Sequence, residues 1–168
     1  MAFRVPLSDS HSWMMASPAE TNGTEAGNGG SGPVCEPPTN CITQNEFGLN
    51  MACFEFVFRS WSAMQQGDAS IVLVDARTED DYTEEHIAGA VLVNYYQQKK
   101  YLPDVMPLLE VAQAIFIYCA GGDCEDSQLL ANSLIYEHDL PSDVVYVYEG
   151  GIAEWIAKGQ PLGKGGQP

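Results

Sequence analysis

The chain has 168 residues, 7 of them basic and 23 acidic, for a formal charge of −16. That balance argues against a nucleic-acid partner, whose phosphates bind by exchanging counterions for Lys and Arg, and against docking on an anionic membrane surface. No apolar run reaches the roughly 18 residues that a membrane span needs.

Residues 1–42 read as a flexible, low-complexity leader. "SPAETNGTEAGNGGSGPVCEPPTN" is rich in Gly, Pro, Asn, Thr and Ser, and its few apolar side chains show no period. Such a stretch buries too little apolar surface to offset its own ordering entropy. The start, "MAFRVPLSDSHSWMMAS", has one Arg but no continuous apolar core, which does not fit a secretory signal. The expected location is therefore the cytoplasm, or the periplasm had a signal or anchor been removed. One domain is expected over residues 43–163, followed by a flexible tail at 164–168.

Five cysteines, Cys35, Cys41, Cys53, Cys119 and Cys124, make an odd count that does not suggest a disulfide framework. Cys35 and Cys41 both lie in the leader, where they could pair. Their spacings, with His11, His86 and His138 scattered, do not fit a zinc site, and no metal or other cofactor is expected.

In chain order, "NEFGLNMACFEFVFRSWSAMQQG" has two readings. Phe47, Met51, Phe54, Phe58 and Trp61 recur at helical spacing. "ACFEFVF" is also aromatic-rich enough for a short strand, with a helix only from about Arg59 to Gln66. Next, "SIVLVDAR" predicts a buried parallel strand over Ile71–Val74. Thr78 then caps a helix whose first turn is acidic, which suits the helix dipole. "VLVNY" is a second strand, "PDVMPLLEVAQ" a helix and "AIFIYC" a third buried strand. "CEDSQLLANSLIYEHDL" is an amphipathic helix, with Asp123 as its cap. "DVVYVYEGG" is a fourth strand and "GIAEWIAKG" a short closing helix. Strands alternating with helices require crossovers, hence an α/β fold with a parallel sheet covered on both faces.

Ligands of open parallel sheets bind at the carboxyl ends of the strands. Cys119 ends what should be a central strand and is followed by Gly121 and Gly122. These glycines let successive N–H groups face inward as an anion-holding nest, beside the positive end of the next helix. A thiolate is favoured in such a place, as is an extra anionic sulfur. The plainer alternative is a small buried hydrophobe ending a strand.

"IVLVDARTEDDYTEEHIAGAVLVNY", "AIFIYCAGGDC" and "VVYVYEGGIAEWIAKGQPLG", taken together and in that order, resemble the rhodanese-like domain over roughly residues 53–163. The resemblance implies a three-layer α/β/α fold with a mostly parallel central sheet and a short strand before the first helix. It implies an enzyme, a sulfurtransferase in which Cys119 takes a sulfane sulfur from a small donor and passes it as a persulfide to a thiol or cyanide. The active-site loop, Ala120, Gly121, Gly122, Asp123 and Cys124, would cradle that sulfur with its backbone N–H groups. Asp75 and Arg77 would support the fold as an ion pair. His86 would be structural, and Glu149, Gly150, Gly151 and Trp155 would pack the last turn, with Trp155 buried.

Some residues depart from the pattern. Members active on thiosulfate frequently carry Arg after the cysteine and a basic or hydroxyl residue five positions on, where this chain has Ala120 and Cys124. Asp123, Glu125 and Asp126 add negative charge that repels a dianionic donor, so a polysulfide or persulfide fits better. Cys124 is open to three readings: a resolving thiol, a relay acceptor, or a residue of the helix's first turn. Phosphatase chemistry needs an Arg after five intervening residues, but Glu125 follows the five after Cys119 and Leu130 the five after Cys124. The rival to an enzyme is an interaction module for a basic protein partner, or a Cys119–Cys124 redox switch.

Overall fold

The computed structural model describes residues 37–166. The leader up to residue 36, including Cys35, lies outside the described residues. The elements are β1 (Ile42–Gln44), β2 (Asn50–Ala52), α1 (Phe54–Gln65), β3 (Ile71–Asp75), α2 (Glu79–Glu84), β4 (His86–Ile87) and β5 (Val91–Leu92). A 3-10 turn (Tyr95–Gln97) leads into α3 (Gln98–Leu109), followed by β6 (Ala114–Tyr118), α4 (Asp126–Tyr136), β7 (Val145–Tyr148), α5 (Gly151–Ala157) and β8 (Leu162–Gly163).

Six strands form the central sheet in the order β1-β2-β7-β6-β3-β5, all parallel except the antiparallel pair β1–β2. β4 and β8 form a small antiparallel ribbon. β3 and β6 are buried along their whole length, as strands covered on both faces must be. Their side chains alternate between two cores. Val72, Val74, Ile115 and Ile117 face α3 and α4, while Ile71, Leu73, Phe116 and Tyr118 face α1 and α5. The result is the expected α/β/α sandwich.

Thr78 caps α2 as expected, its Oγ1 accepting from the Asp81 N–H at 3.2 Å. The region around residue 53 combines both sequence readings, with different limits. The strand is Asn50–Ala52, and the helix starts at Phe54 instead of about Arg59. Phe54, Phe58 and Trp61 then form one aromatic stripe, stacked in sequence and lying against the fully buried Trp155. β5 keeps only two residues of "VLVNY". α3 starts five residues earlier than Pro103 and runs through Pro103 and Pro107. Both prolines lie on its exposed side, and burial of Tyr101, Leu102, Val105 and Leu109 holds the helix despite the lost N–H donors.

Cys41 is joined to Cys53 by a disulfide, a pairing the spacing did not suggest. It fastens the edge strand β1 to the start of α1, so residues 41 and 42, assigned to the leader, belong to the fold. Gly165, assigned to the tail, donates its N–H to the Thr83 carbonyl at 2.9 Å.

Candidate active site

The sheet register sets the site. Asp75, Tyr118, Tyr148 and Ala52 lie side by side on β3, β6, β7 and β2. The residues that follow, Ala76, Cys119, Glu149 and Cys53, therefore line one carboxyl edge, where crossover loops leave the sheet. Cys119 is 2 % exposed and belongs to the core under α3 and α4. Its Sγ–H donates to the Cys124 carbonyl at 3.1 Å, and the hydroxyl of Ser127, a buried residue at the head of α4, donates to the sulfur at 3.4 Å.

The loop from Ala120 to Glu125 turns back over this thiol through Gly121 and Gly122, with φ of 100° and 62°. These are left-handed values that other residues adopt only under strain. The second glycine pair explains how the loop is held. The N–H groups of Ile152 and Ala153, in the first turn of α5, donate to the carbonyls of Cys119 (3.0 Å) and Ala120 (3.2 Å). Gly150 and Gly151 leave the space this approach needs, since Gly121 lies against the Gly150 carbonyl. Among the described residues, the N–H groups of Gly121, Gly122, Asp123 and Cys124 donate to no protein acceptor.

Cys124 is partly exposed, with its sulfur beside the Cys119 thiol and within reach of the Ala120 and Asp126 N–H groups. Burial pushes its thiol pKa up, and the neighbouring Cys119 adds to the rise. Asp123 does not cap α4. The helix begins at Asp126 with Glu125 in the cap position and no side-chain cap bond, because residues 120–125 are all spent in the turn over the thiol. Asp123 and Glu125 instead stand exposed at the rim.

Asp75 and Arg77 form a buried pair, Nη2 to Oδ2 at 2.7 Å and Nε to Oδ1 at 3.0 Å. Arg77 also donates to the Glu85 carbonyl at 2.6 Å, and Asn94 donates to the Arg77 carbonyl at 3.0 Å. Burial acts against the Arg77 charge, but Asp75 outweighs it and the pKa rises. The guanidinium is thus committed to its own strand end. His86 is buried, stacked on Tyr82 at 3.9 Å with Nδ1 2.8 Å from the Tyr82 carbonyl, in a structural setting. Glu149 departs from expectation. It is exposed, and the turn packs through its two glycines and Trp155.

Two residues at the site escaped the sequence reading. Ser127 reaches Cys119 because the loop is long enough to put the first turn of α4 over the strand end; a hydroxyl eight residues after the thiol is its only trace in the sequence. Tyr96, on the 3-10 turn, stands at the mouth beside Asp126, whose charge raises the phenol pKa. It lies 30 residues from Asp126, on no shared element that a local pattern could report.

The profile of the rhodanese-like domain family matches residues 60–158, more than half of the chain. No protein with a curated description matches it. Among solved structures, a protein from Bacillus halodurans superposes with a TM-score of 0.55 at 20 % identity, over 68 % of this chain and 76 % of its own. The rhodanese-like domain of an Anabaena protein does so with a TM-score of 0.50 at 25 % identity, over 68 % and 78 %. The matched stretch runs from within α1 to the end of α5 and so takes in both the thiol loop and the glycine turn that holds it, and on that ground this chain belongs to the rhodanese-like domain family.

Proposed function

We propose that the protein is a sulfurtransferase that carries a sulfane sulfur on Cys119. The observation that carries this reading is a buried thiol at a strand end, wrapped by a loop whose free N–H groups suit the charge of an outer sulfur. The Cys119 thiolate attacks the outer sulfur of a donor R–S–S⁻. R–S⁻ leaves, and the Cys119 persulfide passes its outer sulfur to a thiol or to cyanide.

The donor preferred on charge is a polysulfide or a low-molecular-weight persulfide. Arg77 is held by Asp75, while Asp123 and Glu125 stand exposed on the loop and Asp126 heads α4, three charges that repel thiosulfate. The Cys41–Cys53 bridge favours an oxidising compartment over the reducing cytoplasm. Among the described residues no helix is long and apolar enough to cross a membrane.

The contact between Cys119 and Cys124 favours a second reading, a reversible disulfide switch in a domain that binds partners, a basic protein among them. One experiment separates the two. Intact mass is measured after exposure to polysulfide or to thiosulfate, with Cys119→Ser alongside. A gain of one sulfur that needs Cys119 and reverses with cyanide supports sulfur transfer. No gain from either donor, in wild type or in a Cys124→Ser variant, sinks it.

A further inference from the structure

We propose that Cys124 is a built-in resolving thiol, which discharges the Cys119 persulfide as hydrosulfide and leaves a Cys119–Cys124 disulfide. The proposal rests on the sulfur-carrier reading above and names the first acceptor and the product.

Three observations converge on it. The Cys119 thiol donates to the Cys124 carbonyl at 3.1 Å, across a turn that Gly121 and Gly122 make tight, which brings the two cysteines together. Cys124 draws on the N–H groups of Ala120 and Asp126, which flank the free loop N–H groups that suit an outer sulfur. An outer sulfur held by those free groups therefore leaves Cys124 on its own donors, beside the new S–S bond. The third observation is access. The inner sulfur is 2 % exposed and held by Ser127 and the Cys124 carbonyl, so external acceptors meet only the outer sulfur. Cys124 is the thiol placed to reach the inner one.

The step balances without an added oxidant. The Cys124 thiol loses its proton to solvent, and its sulfur lone pair forms the bond to Cys119 Sγ. The bond between Cys119 Sγ and the outer sulfur breaks, its electron pair goes to the outer sulfur, and that sulfur takes up a proton from solvent to leave as hydrosulfide. The sulfane sulfur is reduced and the two cysteines are oxidised. A dithiol protein or small dithiol must then reopen the disulfide and become oxidised itself, so a dithiol–disulfide exchange follows this reaction in sequence. The groups facing Cys124 are Cys119 at the end of β6, Asp126 at the head of α4 and Tyr96 on the 3-10 turn. Burial and Cys119 push the Cys124 thiol pKa up, against the opposing Ala120 and Asp126 N–H groups, so closure quickens as pH rises.

The test doses the full chain once with polysulfide under anaerobic conditions, after alkylation mapping has shown Cys119 and Cys124 reduced and Cys41–Cys53 intact. Intact mass and released sulfide are followed for wild type, Cys124→Ser and Cys124→Ala. The expected wild type ends two hydrogens lighter, with Cys119 linked to Cys124 and more sulfide released than loading alone produces. Both variants keep one extra sulfur on Cys119, with a persulfide at least about tenfold longer-lived; that uptake also shows that they are folded. A wild-type persulfide as durable as the variants' overturns the resolving role and leaves sulfur transfer standing. Variants that take up no sulfur overturn both.

Discussion

Gly151 and Cys119 approach so closely that no side chain fits between them: a Cβ on Gly151 would lie 2.5 Å from the Cys119 carbonyl oxygen and 2.5 Å from the Gly121 nitrogen. Gly151 also has φ of 56°, so the backbone itself favours glycine. Gly151→Ala is expected to push the thiol loop off the first turn of α5. It should cost about 2 kcal/mol or more in stability through strain and overlap and abolish most sulfur uptake. Urea unfolding measures the first effect, and intact mass after donor exposure the second.

The buried Asp75–Arg77 pair is a support for the sheet edge. Arg77→Ala leaves a fully buried carboxylate without its partner and should destabilise the fold by about 3–5 kcal/mol. Asp75→Asn, which keeps a polar side chain of the same shape, should cost less. Denaturant titration of the two variants orders them, and the opposite order would refute this account.

Ser127 acts on Cys119 through a single hydroxyl contact. Ser127→Ala should change stability by only about 1 kcal/mol while slowing sulfur uptake several-fold at saturating donor. Ser127→Thr, which restores the hydroxyl, should recover the rate. If Ala and Thr behave alike, the contact is packing alone.

The acidic rim should choose the donor. Asp123→Asn, Glu125→Gln and Asp126→Asn together should speed thiosulfate uptake by about tenfold at low ionic strength. That gain should shrink as added salt screens the exposed carboxylates. Stopped-flow loading across a salt series reads it, and a gain that ignores salt would argue against the charge explanation.

Removing the Cys41–Cys53 bridge frees a loop of 12 residues in the unfolded chain. Cys41→Ser with Cys53→Ser should lose about 3 kcal/mol of stability by the loop-closure estimate, seen as a lower midpoint in thermal unfolding. The bridge packs with the core of α1 and α5, and Cys119 with that of α3 and α4. Sulfur uptake well below that midpoint should therefore be unchanged.

What the sequence alone determined is carried by short-range patterns. The apolar runs that begin at Ile71 and Ala114, the Thr78 cap and the glycines around Cys119 each express a local rule of periodicity, capping or φ, and each appears in the fold to within a residue of where the sequence places it. The limits of α1 and α3 were not legible because tertiary burial of Phe56, Val57, Tyr101 and Leu102 outweighs local propensity there. Only the tertiary structure decided the Cys41–Cys53 pairing, the Ser127 contact, the place of Tyr96 and the further engagement of Arg77 by the Glu85 carbonyl. Each depends on which strand neighbours which, and on how far a turn carries a helix over a strand end. Sheet order joins residues far apart in the chain through the burial of whole faces, and no window of neighbouring residues contains that information.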